Sequence, residues 1–496
     1  MKEDSLQPET HRGRLPGDVF VRRPRVPRRG LHRVLGVPGL FSTAYGDVGS
    51  SIYYVLGVTA MFALGLTPLA FLVAGFLFGM LALTYAEGTT AMPEAGGASS
   101  FARRSFNDTI SFIAGWALAL NYVVTMAISA FSVPNYLAVF SPVLGEWPAN
   151  SLMGVGIVAL LATLNILGIK ESSGVNVGLA ALDLLTQALV VIVAIVFVFN
   201  FGTIVDNIHF GEAPEWNRLM VGMAIAMIAF TGIETVSNLS EETRNPGKNV
   251  PRAVLAVFVA VMIMYTLIPL VALSAMPVFF DADAGKFTTD LVENFREDPV
   301  LGVVSHLPVA IEGLLTVWVG ILAGTILLIA TNAGMLGMSR LAYSLGRHGQ
   351  LPPLVSHIHA KRGTPAVAII LFSSVAALLI VPGRLDVLAG VYSFGAMLAF
   401  SFAHLSIIVL RAREPDMPRP FKIPFNIRVR GVDIPVTAII GLMGTVFAWT
   451  VVVFNQPFSR YIGVAWMVVG LTVYLAYRWW RRRHPPADAA AAAGLG

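Results

Sequence analysis

The sequence predicts an all-α integral membrane protein of about twelve transmembrane helices, and three observations carry that expectation. The 496 residues are 56% hydrophobic and only 13% charged, with a mean hydropathy of +0.72, beyond the range of soluble globular domains. Apolar runs long enough to cross a bilayer recur along nearly the whole chain. None alternates in the short pattern of an outer-membrane barrel, so the spans are helices.

In order, the expected spans fall near 36–60, 68–89, 110–139, 151–168, 176–200, 217–240, 253–276, 311–338, 365–382, 385–410, 433–454 and 460–480. They group into a first five-helix unit over 36–200, a second over 217–410, and two further helices over 433–481. Residues 1–35, with "VRRPRVPRRG" and "LHRV", are rich in Arg and Pro and lack an apolar core. They read as a disordered basic cytosolic tail rather than a signal peptide. Residues 482–496 form a second cytosolic tail.

Charge then orients the spans. Alternate loops hold Arg103, Arg104, Lys170, Arg244, Lys248, Arg252, Arg340, Arg347, Lys361, Arg362, Arg411, Arg413, Arg419 and Lys422, and the last helix ends in "RWWRRRH". Of the intervening loops, "SPVLGEWPAN" and "FGTIVDNIHFGEAPEW" lack Lys and Arg, and in 277–310 the two basic residues are outnumbered by acids. The positive-inside rule places both termini in the cytosol of a multi-pass protein of the cell membrane. A net charge of +5 is therefore assigned to the lipid surface and topology, with no nucleic-acid partner.

Cysteine is absent, which excludes disulfides and thiolate metal sites. No "GxSxG", "HExxH", "CxxC" or "GxxxxGK[ST]" pattern occurs, so neither an enzyme nor an ATP-driven pump is expected. No cofactor or metal is expected either.

Two spans are interrupted. The first carries "TAYGDVGSSIYYVLG", with three glycines, two serines and Asp47 inside an apolar run. The sixth, "MAIAMIAFTGIETVSNLSEETRNPGKNVP", is interrupted at Thr231, Gly232 and Glu234. Paired interruptions at matching positions of two halves point to an inverted repeat with a binding site at the bilayer midplane. Backbone groups freed there must face protein, water or ligand, because lipid cannot satisfy them. Gly57 and Gly65 read instead as close-packing positions. Asp47 does not, since a carboxylate at membrane depth costs several kcal/mol unless it is used or paired.

The residues carry a resemblance. "GSSIYYVLG", "YAEGTTAMPEAGGASSFARRSFNDTISFIAGWALALNY", "AFTGIETVSNLSEETRNPGKNVPRA", "SRLAYSLGRHGQLP" and "LRAREPDMPRPFKIP" together resemble amino acid permeases of the amino acid, polyamine and organocation (APC) transporter superfamily, from about residue 36 to 425. That resemblance implies a five-plus-five inverted repeat of the LeuT-like kind, with broken helices one and six, two extra helices, and alternating access. It implies secondary transport of an amino acid. The amides of Gly49, Ser50 and Ser51 would take the substrate carboxylate, and carbonyls around Phe230, Thr231 and Gly232 its ammonium.

Departures from the family pattern bear on coupling. Ser51 stands where members usually have Gly, and Asp47 where the residue is usually small or apolar. "YGDVGSSIYY" is similar to the opening motif of potassium-uptake permeases of the same superfamily, which keeps cation uptake as the alternative function. Asp183 stands where several members have a lysine that replaces a sodium site. A proton carrier needs a carboxyl that binds its proton near neutral pH, and burial favours this. Asp47 and Asp183 are thus the candidate coupling residues, with a proton or a sodium ion as partner. Glu87 and Glu234 read as hydrogen-bonding residues that fix helix ends, His404 as a packed polar residue, and Trp116 as a packing or interfacial-anchoring residue. Tyr53, Tyr54 and Phe230 are candidates for an aromatic lid.

Overall fold

A computed structural model describes residues 35–168, 173–359 and 364–484. Residues 1–34 and 485–496, most of the expected tails 1–35 and 482–496, lie outside it, as do Lys170, Lys361 and Arg362; of those tails Leu35 is bonded to the backbone of Glu242 and Arg244, and Arg482 and Arg483 continue the last helix. Helix dominates, and each of the twelve expected spans falls on it.

The first span is α1 (Val37–Val48) and α2 (Ile52–Ala63), joined by a 3-10 turn at Gly49–Ser51. After a second 3-10 turn at Leu64–Leu66, α3 (Thr67–Ala91) follows. A short amphipathic helix, α4 (Ala98–Ser105), precedes α5 (Asp108–Leu137), whose start is fixed by Asn107 accepting from the N–H groups of Thr109 and Ile110. Then come α6 (Ala149–Leu167), α7 (Ser173–Phe197) and the short α8 (Phe201–Asp206). Span six is α9 (Trp216–Ala226) and α10 (Glu234–Asn238), followed by α11 (Pro246–Ala275).

The expected loop 277–310 is ordered. It holds an antiparallel hairpin of β1 (Val278–Asp281) and β2 (Lys286–Thr289), then α12 (Asp290–Glu293) and α13 (Pro299–Val304). The chain continues through α14 (Val309–Arg347), α15 (Pro353–Ser356), α16 (Ala366–Ile380) and α17 (Leu385–Arg413). A second hairpin, β3 (Asn426–Val429) with β4 (Val432–Pro435), leads into α18 (Val436–Asn455) and α19 (Pro457–Arg483).

Among the described residues, ten helical stretches are long and apolar enough to cross a membrane, one of them the 55-residue run Val37–Ala91. A straight helix of that length would be roughly 80 Å long, far beyond one hydrocarbon core. Its break at Leu64, where φ is +42°, separates the first two expected spans. α14 outruns its expected end at 338 because hydropathy stops where charge begins, at Arg340, whereas backbone hydrogen bonding continues to Arg347.

Ion pairs gather the basic segments at one end of the bundle. Arg104 of α4 pairs with Glu414 beyond α17 at 2.7 Å, and Arg340 of α14 with Glu242 beyond α10 at 2.8 Å. The opposite end is closed by loops. A Cβ added at Gly57 would lie 2.1 Å from the carbonyl oxygen of Arg296, and one at Gly65 would lie 1.8 Å from that of Asn207. Both glycines are close-packing positions as expected, but their partners are loop backbone rather than other helices. The last helix is tied to α5 by reciprocal bonds: Trp116 donates to the Trp466 carbonyl at 2.8 Å, and Trp466 to the Trp116 carbonyl at 2.9 Å.

Candidate functional site

The two interruptions meet. Gly232 has φ +121°, a conformation that only glycine adopts without strain. A Cβ placed there would lie 2.9 Å from Cβ and Cγ of Asp47 and from Cγ2 of Val48. Thr231 before it is extended, with ψ 150°, so the helical ladder of span six stops between Phe230 and Glu234. Glu234 occupies the gap: its Oε2 accepts the Gly232 N–H at 2.9 Å, and its Oε1 accepts from the Asn121 side chain. It fixes a helix end, as the sequence suggested.

Span one is interrupted differently. Residues 48, 49, 51 and 52 keep right-handed helical angles, so the chain tightens rather than unwinds. Its cause is the Tyr265 hydroxyl of α11, which accepts the Ile52 N–H at 3.2 Å and donates to the Val48 carbonyl. These two groups would otherwise bond each other as i and i−4, and a side chain inserted into that ladder interrupts it. Neighbouring carbonyls are also engaged. Ser50 Oγ donates to the Asp47 carbonyl at 2.9 Å, and Gln187 Nε2 to that of Gly49 at 3.1 Å. In this conformation the Gly49 N–H bonds the Tyr45 carbonyl.

Removing that hydroxyl should therefore let the ladder close. Tyr265→Phe is expected to lower uptake at least about tenfold while shifting stability by no more than about 1 kcal/mol, the ordinary net worth of a hydrogen bond. Uptake by reconstituted protein and thermal unfolding in detergent measure the two effects; undiminished uptake would remove Tyr265 from the site.

The two candidate coupling carboxyls are both buried but do not come together. Asp47 Oδ2 accepts from Thr235 Oγ1 at 2.9 Å, and Asp47 Oδ1 is buried without a hydrogen-bond partner among the described residues. Asp183 of α7 accepts from Tyr53 at 2.7 Å, Tyr45 at 3.2 Å and Gln187 at 2.8 Å. Tyr45, Gly49 and Tyr53 repeat at helical spacing, and Asp47 lies two residues, about 200°, around the helix from Tyr45. Span one thus runs between the two acids.

The remaining candidates complete the wall. Thr231 Oγ1 donates to the Tyr392 hydroxyl at 2.5 Å, which also receives Thr125 at 2.7 Å. Phe230 packs with Phe78 and Tyr265, each with its ring centroid 5.2 Å away. Tyr53 and Tyr54 are engaged by Asp183 and by Ser51. His404 bonds Thr84 at 2.9 Å and packs over Gly441, a structural arrangement. Tyr265, Gln187, Asn121, Thr235 and Tyr392 were not picked out from sequence. Their only signal there is polarity inside an apolar run, and for Gln187 a spacing of four from Asp183.

At the basic end, span six is pinned to the "PEAGG" segment. Gly96 N–H donates to Asn238 Oδ1 at 3.0 Å, Ala95 N–H to Glu241 at 3.2 Å, and Ser344 Oγ to the Ala95 carbonyl at 2.9 Å.

Comparison with known proteins agrees with this architecture. The family model described as amino acid permease matches residues 35–476. The branched-chain amino acid permease BcaP of Bacillus subtilis is 28% identical over 481 residues, covering 90% of this chain and 94% of its own. The methylthioribose transporter of the same organism is 26% identical, with 87% and 90% covered. The low-affinity putrescine importer PlaP of Escherichia coli is 25% identical, with 86% and 89% covered.

Proposed function

The chain belongs to the amino acid permease family, and from that premise we propose a proton-coupled secondary transporter that imports an amino acid across the cytoplasmic membrane by alternating access. The observation that carries this reading is the contact of Gly232 with Asp47, which brings two interrupted helices together around a buried acceptor, Asp47 Oδ1, that no group among the described residues bonds. An acceptor of this kind suits a substrate ammonium or a transported proton. Carbonyls of Phe230, Thr231 and Gly232 would share the ammonium, and the segment Gly49–Ser51 would receive the carboxylate once the span-one ladder rearranges. The aromatic group of Phe71, Phe78, Phe230 and Tyr265 favours an aliphatic side chain, in keeping with the branched-chain permease among the relatives.

The five-plus-five inverted repeat, 36–200 against 217–410, is part of the same proposal. So are cytosolic termini, for which the basic end of the bundle is the support. Asp183, held by Tyr45 and Tyr53 of span one, would transmit its protonation state to that helix.

Uptake of radiolabelled amino acids and of rubidium into proteoliposomes, under an imposed proton or sodium gradient, tests the proposal. Leucine, isoleucine or valine should accumulate with the proton gradient. Asp47→Asn should abolish the pH dependence of uptake while retaining part of the binding, and Asp183→Asn should impair accumulation more than exchange. Rubidium uptake with no amino acid uptake would establish the cation alternative instead.

A further inference from the structure

Away from the helix crossing, a cavity of about 550 Å³ opens at the end of the bundle opposite the basic segments, between the segment 135–146 and the loop 292–298. Four acids line it, Glu146, Glu293, Glu297 and Asp298, against one base, Arg296. That base is shared with the acids, its guanidinium 3.5 Å from Glu297. A second feature is independent of the acids. Asn135 also lines the cavity and is only 4% exposed, yet among the described residues neither its Oδ1 nor its Nδ2 has a hydrogen-bond partner. A buried carboxamide left unpaired on both atoms costs free energy unless a bound species completes it.

We propose that this cavity is a second binding site, for a small organic molecule bearing a primary ammonium group. Among the described residues no three acidic or histidine side chains lie close enough to hold a metal ion, so the carboxyls act as a diffuse negative field rather than a chelate. That suits an ammonium on a carbon skeleton, and the volume falls in the range of small-molecule sites. Asn135 offers an acceptor to the ammonium and a donor to a second polar group. The next residue leads toward the crossing: Tyr136 donates to the Tyr53 carbonyl at 2.8 Å, and Tyr53 donates to Asp183. On the transport reading proposed above, the site is placed to capture a cationic group before it reaches the helix crossing; binding in the cavity itself does not depend on what the protein transports.

The field responds to pH. Burial, then repulsion from Glu297, pushes Asp298 up to about 7. Around it stand Glu297 with Arg296, Glu293, Glu146, the Tyr136 hydroxyl and, beyond Glu297, the Asp386–Arg384 pair. Below that value Asp298 is neutral; above it, one more negative charge faces the cavity, so ammonium binding strengthens as pH rises.

Because the chain has no cysteine, Ala138→Cys places a single thiol on the cavity wall. Its labelling rate by a neutral maleimide in detergent-solubilised full-length protein reports occupancy without any transport step. Butylamine should slow labelling about fivefold, while butanol and butyrate at equal ionic strength should not. Protection should be weaker near about pH 6 than near about pH 8, a difference that Asp298→Asn removes. Glu146→Gln, at an exposed position, should reduce the fold protection by butylamine, each rate being taken relative to that variant's own rate without amine. Equal slowing by butanol, or butylamine protection indifferent to both acidic variants, would overturn the proposal. Failure of amino acid uptake would leave this assay unaffected.

Discussion

Substitution of Gly232 by Leu is expected to reduce uptake to background. A single added Cβ already falls 2.9 Å from Asp47 and Val48, so a full leucyl side chain must push the two interrupted helices apart where they touch. The φ of +121° adds backbone strain of about 1–3 kcal/mol for any L-residue. Gly232→Ala isolates the collision at the Cβ and should show intermediate uptake. Size-exclusion behaviour in detergent separates loss of transport from loss of fold, and wild-type uptake by the Leu variant would refute the site. Asp47, on the other side of the same contact, makes the complementary case, because neutralising it changes charge without changing shape.

The largest stability effect is expected far from that crossing, at Glu87. Its carboxylate, 1% exposed, bonds the Arg411 guanidinium through both oxygens, lies 3.3 Å from Arg419 Nε and accepts the Ile423 N–H at 2.8 Å. Toward Glu87 the contact of Arg419 is an ion pair, since its Nε has no hydrogen-bond partner among the described residues, while its other nitrogens donate to the carbonyls of Pro415, Met417 and Glu414. Glu87→Ala leaves the buried Arg411 charge without its carboxylate, keeping only hydrogen bonds to Asn426 and the Asp433 carbonyl, and should cost about 3–5 kcal/mol. Thermal unfolding of the purified protein measures the loss. A double variant, Glu87→Leu with Arg411→Leu, should recover part of it, because the buried Arg411 charge is then gone, while Arg419, still without its carboxylate, retains the rest of the loss. A loss below about 1 kcal/mol in the single variant would mean that water reaches the pair and screens it.

Much of the architecture is legible in one dimension. Hydropathy located twelve spans that all fall on helix, because the bilayer imposes a length and a composition on any segment that crosses it. The interruption at Thr231 and Gly232 was legible for the same reason: small and polar residues inside an apolar run have no purpose in lipid. Glu234 was read as fixing a helix end, and it does so two residues from the glycine whose N–H it accepts, a distance short enough for sequence to carry.

What sequence did not carry lies in partners far apart along the chain. The first interruption looked like an unwinding caused by its own glycines and serines, yet it is a tightened turn held by Tyr265, 217 residues away from Val48. Glu87 looked like a local helix-end residue, but its partner Arg411 is 324 residues distant. Asp47 and Asp183 read alike as buried carboxyls, and only the rotation of span one sets them on opposite faces. By itself the sequence determined which apolar segments form helices, which ends are basic and where span six must break, since each of these follows from the composition of a local segment and the free energy it would have in lipid or at its surface. The tertiary structure decided which buried polar groups satisfy one another, because that depends on distances between helices, and only the packed bundle sets those.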